Sequence, residues 1–206
     1  MPSLKHLRVR INSVKATQKI TSAMKMVAAS KLRRAQEEAE SARPYAERME
    51  RMVASVAQTF VGNETAPKLL SGTGSTKQHL IVVATSDRGL CGGFIGSIIR
   101  AVRARIGELE GLGSKVSLFP VGRKGAEQLS RDFGDRFLAE RDGSGSRSPT
   151  YSDSSGIGKT LMDWFDSGKF DVCEVVYNRF QSAMTQTVTF QQLVPFSVEN
   201  SEAVSY

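Results

Sequence analysis

From Leu4, steps of three and four residues alternate through Leu7, Ile11, Val14, Gln18, Thr21, Lys25, Ala28, Leu32, Ala35, Ala39, Ala42, Ala46, Met49, Val53, Val56 and Phe60. All but Gln18, Thr21 and Lys25 are apolar. A period averaging 3.5 residues is a coiled-coil seam and predicts one long helix over 1–60. Ser3 is a suitable N-cap, and no glycine precedes Gly62. Pro44 removes a hydrogen bond at a cost of about 3 kcal/mol, which admits two helices split near Arg43. The seam keeps its phase through Ala42, Ala46 and Met49, so one bent rod is the expectation. Alone in water this stripe would stay wet, so it calls for a partner helix. The alanines at 28, 35, 39, 42 and 46 let that partner approach closely.

Beyond the rod the period changes. Residues 61–79 are rich in Gly, Ser and Thr and read as a connector. LIVVAT (80–85) is a continuous apolar run of the kind buried on both faces of a parallel sheet. The turn SDRGLCGGF follows, then a helical pattern through Ile95, Ile98, Ile99, Val102 and Ile106. Residues 115–121 predict a strand, 122–133 a helix and 136–140 a weaker strand. Residues 141–156 predict a polar loop, 158–166 a helix, and 172–177 and 187–194 two more strands. The expected architecture is α/β: a long N-terminal coiled-coil helix (1–60), a connector (61–79), and a Rossmann-like α/β domain with a largely parallel sheet (80–206).

Charge sharpens the picture of the rod. Nine of the 28 basic residues lie in 1–36, where no acidic residue occurs; the remainder holds 19 basic against 21 acidic residues. A near-neutral body thus carries a cationic arm, which is a statement about partners. Where the seam turns polar, Ile20, Met24 and Val27 form a second stripe rotated off it. Lys15, Lys19, Lys25, Lys31, Arg33 and Arg34 surround that stripe. One reading is a local stutter followed by the same partner helix. The other is a face turned toward a different apolar surface with an acidic rim. Nucleic acid is a rival partner, but no aromatic residue precedes Tyr45 to stack on bases.

Catalytic chemistry is not legible. Gly89, Gly92 and Gly93 lie between a strand and a helix but do not form G-x-G-x-x-G, and a tight turn explains them. Asp87-Arg88 reads as an ion pair holding that turn. Gly158-Lys159-Thr160 lacks the upstream glycine of a phosphate loop, since Asp153 stands there. His6 and His79 share no ligand cluster, and no serine has an evident base. No metal, cofactor or catalytic residue is therefore expected. Cys91 and Cys173 suggest reduced thiols in a cytosol-like compartment. No apolar run is long enough for a membrane span, and the N-terminus lacks the apolar core of a secretion signal.

Four stretches together resemble the gamma subunit of bacterial-type F-type ATP synthases: INSVKATQKITSAMKMVAASKLRRAQ, ARPYAERM, SDRGLCGGFIGSI and FQSAMTQTVTFQQLVPF. The resemblance runs to about residue 196. It implies a non-catalytic central rotor shaft that couples proton-driven c-ring rotation to ATP synthesis on the beta subunits. It implies alpha and beta subunits, an epsilon subunit and the c-ring as partners, with membrane contact only through the c-ring on the cytoplasmic face of the bacterial inner membrane. By analogy Lys15, Lys19, Ile20, Met24, Lys25, Val27 and Lys31 would meet the alpha/beta ring. Arg88, Gly89, Leu90, Gly92 and Gly93 would face the rotor foot. The resemblance also implies a long C-terminal helix completing the coiled coil, which has no counterpart in these 206 residues. A basic coiled coil that binds nucleic acid is the alternative.

Overall fold

The computed structural model describes residues 3–60, 66–143, 149–182 and 184–196. Helix α1 (Leu4–Thr59) is a single element of 56 residues, about 84 Å at 1.5 Å per residue, and it continues through Pro44. The expectation of one rod and not two helices is met. Of the three polar seam positions, Thr21 is satisfied within the helix. Thr21 Oγ1 donates to Thr17 O at 3.1 Å and lies 3.0 Å from Gln18 O, and Thr17 Oγ1 donates to Ser13 O. The seam is exposed over most of its length: Leu4, Ile11, Val14 and Leu32 all face solvent. Along α1 only Ala54 and Ala57, off the seam near the helix's end, are buried. Contacts divide the chain into two compact units, 1–53 and 54–206.

The second unit is a four-stranded sheet between helices. Its elements are α2 (Lys68–Ser71), β1 (Gln78–Ala84), α3 (Phe94–Gly111), β2 (Lys115–Val121), α4 (Arg123–Phe133), a 3-10 turn at Gly134–Arg136, α5 (Tyr151–Asp166), β3 (Val172–Phe180) and β4 (Gln186–Val194). The strand order is β2-β1-β3-β4, with β1 parallel to both neighbours and β4 antiparallel to β3. Alternation across the pleat divides the core. Ile81, Val83 and Val176 meet Ile98, Val102 and Ile106 of α3 on one face. Leu80, Val82, Cys173 and Phe119 meet Phe165 and Phe170 on the other. Trp164 stacks edge-on against Phe119 at 5.0 Å. No helix among the described residues is long and apolar enough to cross a membrane.

Two sequence expectations need correction. Residues 136–140 do not form a strand. They leave the 3-10 turn and meet β2 at one isolated bridge, Leu118↔Phe137, with a second just beyond them at Val121↔Arg141. Helix α5 starts at Tyr151, inside the expected loop. A capping box starts it: Asp153 N donates to Thr150 Oγ1, and Thr150 N donates to the Asp153 carboxylate at 2.9 Å. Within that helix Gly158, Lys159 and Thr160 lie on regular turns, so they form no phosphate loop. The connector also holds more order than expected. It contains α2, and its last residues, Gln78 and His79, belong to β1.

Burial sets the two thiols apart. Burial, with Glu174 beside it, pushes Cys173 up to about 12, whereas Cys91 is half-exposed. At pH 8 an alkylating reagent is expected to label Cys91 alone in the native chain and both cysteines after denaturation, read by mass spectrometry. Rapid native labelling of Cys173 would contradict this packing.

Candidate functional site

Two surfaces carry the residues singled out above, and each is built differently. On α1, steps of four, three and four place Ile20, Met24, Val27 and Lys31 in one stripe, because 3.6 residues make a turn. Ile20, Met24 and Val27 are 62, 61 and 56 % exposed, so large apolar side chains stand in water here. By the same rotation Lys19 lies beside the stripe, whereas Lys15 and Lys25 fall toward the opposite face of the helix. None of Lys15, Lys19, Lys25 or Lys31 makes an ion pair among the described residues. Arg33 pairs with Glu37 at 3.0 Å. The arrangement is an exposed apolar strip that ends in Lys31, on a helix that carries its other lysines on the remaining faces. Sequence reasoning passed over Met26, which is 67 % exposed on the Lys15–Lys19 side. Its i, i+7 relation to Lys19 was the available signal.

The second surface is the turn between β1 and α3. Ser86 Oγ donates to Arg88 O at 2.8 Å, Lys124 N donates to Ser86 O, and Phe94 N donates to Cys91 O. Asp87 holds the turn through backbone groups: its Oδ1 accepts from Arg123 N at 3.0 Å and Gly143 N at 2.8 Å. Asp87 thus fastens the turn to α4 and to the loop before α5 through backbone groups, where the expectation was a local ion pair with Arg88. Leu90 stands fully exposed with φ +60, the only non-glycine residue with positive φ among those described. A side chain in that conformation is strained, and such strain concentrates at functional sites. At Gly92, with φ +59, a side chain would be strained as that of Leu90 is; at Gly89 and Gly93 it would not. Arg88 reaches the rim of a cleft of about 420 Å³ at the carboxyl ends of β1 and β2, lined also by Thr85, Arg141 and Asp153. The structure therefore groups Arg88 to Gly93 on one turn, and places the α1 residues on a separate compact unit.

The comparisons with known proteins agree with one another. The ATP synthase family model matches residues 3–206. The ATP synthase gamma chain of Rhodospirillum rubrum is 53 % identical over 203 residues, covering 98 % of this chain and 68 % of that relative. Those of Paramagnetospirillum magneticum and Paracoccus denitrificans are 51 and 50 % identical, covering 100 and 98 % of this chain and 70 % of each relative. Among solved structures, a central stalk/c-ring structure of the Tetrahymena thermophila mitochondrial ATP synthase aligns with a TM-score of 0.51 at 25 % identity. That alignment covers 73 % of this chain and 72 % of the other.

Proposed function

The chain belongs to the ATP synthase gamma-chain family, and from that premise we propose that α1 is the shaft on which an alpha/beta ring grips, with the α/β body as the rotor foot. The observation that carries this reading is the exposed Ile20–Met24–Val27 stripe, on a helix whose Lys15, Lys19, Lys25 and Lys31 make no ion pair among the described residues. The seam of α1 would be covered by a second helix inside the ring. Arg88, Gly89, Leu90, Gly92 and Gly93 would meet the epsilon subunit and the c-ring, with exposed Leu90 as the apolar contact. Contact with the membrane would run only through the c-ring, on the cytoplasmic face of the bacterial inner membrane. The division into shaft (1–60), connector (61–79) and body (80–206), and the Rossmann-like character of the three parallel strands, belong to the same proposal. The nucleic-acid alternative draws no support from the relatives compared.

In this reading the chain is not itself an enzyme and needs no cofactor; nucleotide chemistry is done on the beta subunits. Its task is to bias a surrounding sleeve without locking to it. Exposed charge pairs contribute about 0–1 kcal/mol each and re-form as partners change. Many such contacts transmit torque while no single one becomes a deep trap. Reversing Lys19, Lys25 and Lys31 to Glu together is expected to weaken these contacts by about 1–3 kcal/mol. In a reconstituted complex this should lower both retention of the chain and coupling of hydrolysis to proton pumping. Wild-type synthesis and hydrolysis with the triple variant would overturn the assignment.

A further inference from the structure

Strand β4 has a sheet neighbour on one side only among the described residues, so one row of its backbone N–H and C=O groups is open. Proteins commonly guard such edges with charge, proline or a bulge. Here no Asp, Glu, Lys or Arg occurs between Arg179 and Glu199. The β3–β4 register shifts between Cys173 and Glu174, and Pro195 follows the strand, so only its far end is guarded. The stretch from Gln186 to Gln191 is uncharged and free of proline, with the strand formers Thr187, Val188, Thr189 and Phe190 at its centre.

Beside this edge lies a groove of about 520 Å³ between α3 and β4, lined by Ala101, Ala104, Arg105, Glu108, Phe190 and Gln192, with Glu174 at its base. The two alanines leave room, and Phe190 supplies an apolar wall. Glu174 is 6 % exposed and already held by Arg105, whose Nε donates to its Oε2 at 3.1 Å. Arg105 also touches Glu108, so the groove carries one positive and two negative charges.

We propose that the β4 edge, with the α3–β4 groove beside it, is the docking site for an extended strand of a different subunit. That strand adds to the sheet, sends an apolar side chain against Phe190 and Ala104, and sets a Lys or Arg opposite Glu108. Open backbone groups select an extended strand over a helix, because only a strand can pair with them in series. The net negative charge of the groove selects the basic residue. The proposal rests on the rotor reading in one respect: a central shaft is present once per assembly, so the cover is another subunit and not a second copy.

Hydrogen exchange on the isolated full chain and on the purified ATP synthase complex tests it. In an antiparallel pair alternate N–H groups point outward. The outward amides of 186–191 should exchange rapidly in the isolated chain and at least a hundredfold more slowly in the complex. Thr189→Lys and Ala104→Trp should each cut incorporation about tenfold, whereas Arg131→Glu on α4 should not. The Trp164 fluorescence melt of each isolated variant should match the parent. Incorporation with those amides still fast overturns the edge proposal alone, and so does protection in the isolated chain by self-association through β4. Failure of the parent chain to enter the complex overturns the rotor reading together with it.

Discussion

Gly122→Ala is expected to melt the α/β body about 10 °C below the parent, the largest effect of any single methyl group considered for this chain. Gly122 sits at φ +111, between β2 and α4, in a region closed to L side chains. A Cβ there would lie 2.3 Å from Thr85 O and 2.7 Å from Thr85 C, both backbone atoms at the end of β1. The Gly122 amide meanwhile donates to Arg141 O at 2.9 Å, so the turn cannot swing away freely. Backbone strain of about 1–3 kcal/mol and overpacking of similar size add to about 3–4 kcal/mol. At about 2–4 °C per kcal/mol for a unit of this size, that gives the expected shift, read from the single tryptophan, Trp164, in the core. Gly125 supplies the control. Its Cβ would meet the Thr85 side chain, at 2.3 Å from Oγ1, while its own N–H donates to that oxygen at 3.1 Å. Removing the side chain with Thr85→Ala should therefore rescue much of the loss in Gly125→Ala and little of that in Gly122→Ala. Equal rescue of both would show that the backbone approach is not what limits Gly122.

Asp171→Ala should cost about 3 kcal/mol and erase an acid-sensitive part of the stability. Asp171 is 9 % exposed at the start of β3. Burial alone would push its carboxyl up. Hydrogen bonds donated by Ser75, Thr73 and the backbone N–H groups of Gln78 and Lys77 together outweigh that, so it is held below the ordinary carboxylate range. Ser75 Oγ and Thr73 Oγ1 each approach to 2.8 Å, and Gln78 N to 3.1 Å. These bonds fasten residues 73–78 across the head of β3, where Asp171 N also donates to Gln78 O. Bonds to a charged acceptor contribute about 1.5–3 kcal/mol, and loss of this one strands several donors. A folded-state value below the unfolded one means the contribution is complete above about pH 4 and is lost as pH falls through the folded value. Urea melts of the parent should therefore weaken across that acidic window, and the alanine variant should show a flatter profile there. Identical pH slopes for both would remove Asp171 from this role.

Two kinds of information divide the molecule. The seam of α1, the buried run of β1 and the amphipathic period of α3 were legible because each is a local repeat whose step matches one backbone geometry. The β2 bounds were legible for the same reason, and the turn at 86–93 from its three glycines. The misreadings fall where local preference is weak. Helix α5 was missed at its start because Gly and Ser dominate there and a single capping box, Thr150 with Asp153, decides the outcome. Residues 136–140 have strand-like side chains, yet they meet β2 at one isolated bridge, and a ladder needs a run of neighbours.

The sequence by itself determined that a cationic rod with an apolar stripe is joined to an α/β body, since periodicity and charge are properties of neighbours along the chain. Only the tertiary structure decided that Asp87 is answered by Arg123 and Gly143, that Asp171 gathers Thr73 and Ser75, and that β4 lies at the edge beside a groove. Those partners stand tens of residues apart, and no local preference encodes which of many polar groups a fold will bring within hydrogen-bond reach.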